Sequence, residues 1–121
     1  MKLRKSRPES SQGAQSKASL QRFGDPLHQN HYIAGYQLPN GRQLAVERCA
    51  EGFYLWSESC HDKVPDAFRS AHRRHYGVDR PRNADLNGKT APRLKKDRPA
   101  DYWCFDTLGD LERFAGWYAS F

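Results

Sequence analysis

Between residues 31 and 59, apolar and aromatic residues concentrate in three runs, 31–38, 42–49 and 53–59, separated by short turn segments. Short apolar runs bounded by turn signals read as strands. Each pair of runs is joined by three residues ending in glycine, Pro39-Asn40-Gly41 and then Ala50-Glu51-Gly52. Three-residue hairpin loops end on a left-handed residue, which glycine adopts without strain, and Pro39 presets φ for the first turn position. The stretch therefore predicts a three-stranded antiparallel meander. The loop length sets its register: Tyr36 faces Leu44, Val46 faces Trp56 and Cys49 faces Phe53. One sheet face then carries Tyr32, Ala34, Tyr36, Leu38, Leu44, Val46, Tyr54 and Trp56. Ile33, Ala45, Glu47, Phe53, Leu55 and Ser57 fall on the other.

The pattern changes after residue 60. Pro65 suits a first helical position and Gly77 a stop, so a helix is predicted over 65–76, with Ala67, Phe68, Ala71 and His75 inward. Residues 77–100 contain Pro81, Gly88, Pro92 and Pro99 and no apolar period, and read as a long loop. A fourth strand is predicted at 101–106. Thr107 with Asp110 three residues on is a capping-box variant. Leu108, Leu111, Phe114, Ala115 and Tyr118 recur at helical spacing, giving a helix over 108–119.

The fold class expected is α+β: a three-stranded antiparallel meander, a helix, a long basic loop, a fourth strand, and a C-terminal helix packed on the sheet. A single small domain spans 25–121. Residues 1–22 hold only Leu3 and Leu20 as large apolar side chains after Met1, too little burial to offset ordering entropy, and are expected to form a disordered basic arm. A three-stranded sheet backed by a helix is similar in architecture to integrase-arm and AP2-type DNA-binding modules, in which the sheet enters the major groove. The likeness involves no shared motif.

Charge adds a direction to this picture. The chain carries 20 Lys and Arg against 14 Asp and Glu, a net +6. Residues 69–98 alone hold ten basic residues against Asp79, Asp85 and Asp97, a local +7, and 1–22 add +5. The intervening 23–68 and the final 99–121 are each −3. A mildly acidic body with a concentrated basic segment points to nucleic acid or an acidic protein surface as partner. The residues assigned to that contact are Arg69, Arg73, Arg74, Arg80, Arg82, Arg93, Lys95, Lys96 and Arg98.

No apolar run approaches the ~20 residues a membrane helix needs, and the basic start lacks the apolar stretch of a secretory signal. A cytoplasmic location is the expectation, and three cysteines, an odd number, fit reduced thiols there. In the meander register Cys49 and Cys60 lie at opposite ends of the second hairpin, roughly 23 Å apart at the usual strand rise. They can neither bond nor share a metal.

Candidate chemistry is sparse. Cys60-His61 with His72 and His75 offers four donors, but lacks the paired Cys-x2-Cys or His-x3-His spacing of structural zinc sites, so no metal or other cofactor is assigned. No phosphate-cradling glycine loop, dinucleotide fingerprint or hydrolase elbow occurs. The aromatic sheet face is assigned to the core rather than to base stacking. The function expected is non-catalytic binding to nucleic acid or a nucleic-acid-processing complex through 69–98. One alternative is a small protein-docking inhibitor of the immunity, anti-restriction or anti-CRISPR type, using its acidic ends. Another is a metal-independent nuclease or toxin using His72 and His75.

Overall fold

The computed structural model describes residues 8–83 and 85–121. Among these the elements run α1 (Ser11–Leu20), β1 (His28–Gln29), β2 (Ile33–Gln37), β3 (Gln43–Glu47), β4 (Phe53–Glu58), β5 (His72–Tyr76), β6 (Ala100–Phe105) and α2 (Leu108–Ser120). The six strands form one sheet in the order β1-β2-β3-β4-β6-β5, and every neighbouring pair is antiparallel.

The first hairpin follows from its sequence. Tyr36 faces Leu44, Leu38 N–H donates to the Arg42 carbonyl at 2.8 Å, and Gly41 takes the left-handed φ of 87° that the loop requires. The second hairpin differs by one residue. Val46 faces Leu55 and Ala45 faces Trp56, which leaves four residues, 49–52, in the turn. Gly52 has no positive φ; an added Cβ there would meet the Tyr54 ring at 2.7 Å. The slip exchanges the faces of β4, so Leu55 and Ser57 join Tyr36 and Leu44, while Trp56 turns to the opposite side.

Both sheet faces are covered. On one, α1 and α2 bury Tyr36, Leu44, Val46, Leu55, Trp103 and Phe105 beneath Leu20, Leu111, Phe114 and Tyr118. Thr107 caps α2 as its sequence predicts, accepting from Asp110 N–H. On the other face, Ile33, Ala45, Trp56 and Ala100 are sealed by Leu86, Ala91 and Leu94 of the long connection between β5 and β6. That connection carries no helix or strand among its described residues but is packed: Thr90 is buried, and an added Cβ on Gly35 would lie 1.5 Å from the Thr90 carbonyl oxygen.

Besides the register of the second hairpin, two expectations are corrected. Residues 11–20, assigned to a disordered arm, form α1. Ser10 caps it, Gly13 lies against the Arg48 carbonyl, and Leu20 is buried; residues 1–7 of that arm lie outside the described residues. The helix expected over 65–76 is a 3₁₀ segment, Asp66–Ala71, followed by the edge strand β5. Phe68 of this segment still packs inward, edge-on to Phe114 with centroids 5.5 Å apart. No described helix is long and apolar enough to cross a membrane.

Candidate functional site

The site is built around one carboxylate. Asp101 lies on β6 opposite Ser57 of β4 and His75 of β5, and its side chain is fully buried. His72 faces Trp103, two residues along β6, yet only Arg74 faces Tyr102, so Arg73 is an extra residue in β5. A bulge of this kind sets two strand residues against one. It brings His72 and His75, three apart, onto the face that carries Asp101 and Trp103. In a regular strand they would point to opposite sides.

The carboxylate is fully engaged. Its Oδ2 accepts the backbone N–H of Cys60 at 2.8 Å and of His61 at 2.9 Å, and lies 3.2 Å from His61 Nδ1. Its Oδ1 is 2.9 Å from both His72 Nε2 and His75 Nδ1. Burial pushes the Asp101 carboxyl up, but the Cys60 amide, the hydrogen bonds to His72 and His75 and the nearby His61 outweigh it and hold the group below its ordinary value. Asp101 is thus an anion at neutral pH, and each ring nitrogen facing it carries the proton of its hydrogen bond. The distal nitrogens, His61 Nε2, His72 Nδ1 and His75 Nε2, are left to other uses.

The three imidazoles form a cluster accessible from outside. His61 and His72 stack at 16° with centroids 5.4 Å apart, and His61 approaches His75 at 4.4 Å. His72 also packs edge-on against the buried Trp103 at 4.8 Å, whose indole N–H donates to Ser57 Oγ at 2.8 Å. The side chains of His61, His72 and His75 are 39%, 24% and 36% exposed. A cleft of about 250 Å³, lined by His61, Val64, Arg69 and His72, opens beside them. Cys60 takes no part as a thiolate, because burial raises its thiol to about 12.

The basic residues sort into distinct groups. Arg73 and Arg74 are exposed on β5, one of the two edge strands of the sheet. Arg74, Arg80 and Arg82 gather over the Tyr76 ring at 5.9, 5.7 and 5.3 Å. Arg82 is a pin within the long connection, donating to the carbonyls of Gly77 (2.7 Å), Leu94 (3.1 Å) and Arg98 (2.6 Å). With Lys95 and Lys96 it lines a second cleft of about 360 Å³ that also includes Leu86 and Asn87. Arg98 is exposed nearby. Arg69 borders the histidine cleft and pairs with Asp66 at 2.7 Å. Arg93 is drawn away from the group: it pairs with Glu58 at 2.7 Å, and its N–H donates to Gln43 Oε1.

Sequence patterning singles out His61, His72 and His75 but not Asp101. The available signal was an acid opening an otherwise aromatic strand, a position where Asp is depleted unless something pairs it. Comparison with protein-family models, with curated proteins and with solved structures gives no match in any of the three.

Proposed function

We propose that the protein binds nucleic acid along the β5 edge and the adjoining basic connection, without acting on it. The observation that carries this reading is the gathering of Arg74, Arg80 and Arg82 around Tyr76, beside the exposed Arg73, on this edge of the sheet. Guanidinium groups such as those of Arg73, Arg74 and Arg80 make bidentate contacts to phosphates, while Arg82, held by its carbonyl partners, supports them and Tyr76 adds an aromatic ring beside them. Helices on one face and the long connection on the other leave no bare sheet face to enter a groove. This departs from the integrase-arm and AP2-type arrangement and leaves the edge as the reading surface.

The test is binding to a generic RNA and a generic DNA across a salt series. Affinity is expected to fall steeply with salt, by a log–log slope of about 0.7–0.9 per phosphate neutralised. Reversing Arg73, Arg74 and Arg80 to Glu removes it. Absence of binding at low salt overturns the proposal. Strand scission that disappears in His72→Ala would replace the non-catalytic reading with a nuclease.

A further inference from the structure

We propose that His61, His72 and Asp101 form a binding site for a divalent transition-metal ion of the zinc type, with His75 as the partner that orients the carboxylate. The proposal is independent of nucleic-acid binding, since its readout is uptake of the ion.

The geometry supports it first. One ring nitrogen of each histidine and a carboxylate oxygen of Asp101 lie within 4.8 Å of one another. The contacts from His61 Nδ1 and His72 Nε2 to the carboxylate are 3.2 and 2.9 Å. Metal–nitrogen and metal–oxygen bonds of about 2.0–2.2 Å place neighbouring ligand atoms about 3.0–3.5 Å apart in tetrahedral or octahedral coordination. The donors therefore need only small movements to accept an ion.

The chemistry of the donors supports it second. Two imidazoles and one carboxylate form a borderline set that suits zinc and its neighbours, whereas magnesium and calcium prefer oxygen alone. A carboxylate ligates as its anion, the form favoured by the two backbone N–H groups that Asp101 Oδ2 accepts. An imidazole ligates through a ring nitrogen that carries no proton, so with an ion bound the facing nitrogens of His61 and His72 would be the bare ones and any ring proton would sit on the distal nitrogen. Oδ2 keeps its two backbone N–H donors and His75 Nδ1 keeps its bond to Oδ1, the outer support that metal-bound carboxylates commonly have.

The surroundings supply the third support. Three protein ligands leave a position open, the arrangement found where a metal holds water or substrate. The cleft lined by His61, Val64, Arg69 and His72 lies beside it, and Arg69 there suits an anionic ligand group.

The experiment uses the full chain, stripped with a chelator and titrated with Zn²⁺ by calorimetry and with Co²⁺ by absorption spectroscopy. One ion per chain is expected, with visible cobalt bands and no thiolate charge-transfer band. His61→Ala and His72→Ala should each weaken uptake by at least about tenfold, and His75→Ala by about tenfold through the lost outer bond. Far-UV circular dichroism of the metal-free variants verifies that they fold; His61, the most exposed of the three, gives the cleanest comparison. Lack of saturable uptake, uptake unchanged in His61→Ala (which would assign it to His28 and His31), or a thiolate band would each overturn the site.

Discussion

Tyr118 is completely buried, yet its hydroxyl makes two hydrogen bonds. It donates to the Gln43 carbonyl at 2.6 Å and accepts the Glu58 N–H at 2.9 Å. One side chain on α2 thereby latches the helix to β3 and β4, and burial raises its phenol well above the ordinary value. Tyr118→Phe keeps the ring packing and deletes both bonds. The expected loss is about 1–3 kcal/mol, read as a lower urea midpoint at unchanged m-value; an unchanged midpoint would refute the latch. The inward placement of Tyr118 was legible from helical spacing. Its two partners were not, because they belong to strands whose register the sequence left one residue in error.

Among the elements, α1 shows why a polar segment need not be a loose one. Its sequence offers a single large apolar residue, Leu20, and docks otherwise through small ones: Gly13 and Ser16 are buried, and Gly13 fits only because an added Cβ would collide with the Arg48 carbonyl. Counting apolar residues missed a helix that gains its contacts by close approach. Glu9 adds an electrostatic clasp, pairing with Arg48 at 2.9 Å and Lys17 at 3.3 Å. Partial burial pushes its carboxyl up, but the hydrogen bonds to Arg48 and Lys17 outweigh this and leave it below the ordinary glutamate value. A depressed folded-state value means the clasp stabilises at neutral pH and is lost as acid takes the pH down through that value. Amide exchange in α1 should therefore speed up on acidification relative to exchange in α2. Glu9→Gln should show reduced α1 protection at neutral pH and a flatter profile; superimposable profiles would remove the clasp. β5 teaches a different lesson. His72 and His75 are three apart, the spacing of one helical face, and the bulge at Arg73 reproduces that face-sharing within a strand. Local periodicity does not separate the two, and pairing with β6 decided the outcome.

For the molecule as a whole, the sheet is the middle of three layers, and its third layer is a chain segment with no helix or strand among its described residues. Gly35 sits beneath the Thr90 carbonyl at a distance that admits no side chain. Gly35→Ala should lift that segment from the sheet, expose Ile33 and Trp56, cost about 2 kcal/mol or more, and hasten tryptic cleavage after Lys89 and Arg93. Cleavage at the wild-type rate would show that the layer is not held there. The order of the main elements and the basic segment were readable from apolar runs, turn residues and charge. The outer strands β1 and β5 were not, since a two-residue strand and a bulged one carry no period of two. β5 is also a border. An unpaired strand edge invites pairing with a second copy of the chain, and natural sheets discourage it with charge and bulges. β5 has both, in the charges of Arg73 and Arg74 and in the bulge that Arg73 makes. The arginines proposed to contact phosphate thus also oppose edge-to-edge pairing of one molecule with the next. Substitutions that neutralise them open the way to self-association, whereas charge reversal removes the attraction for phosphate and preserves the repulsion between copies.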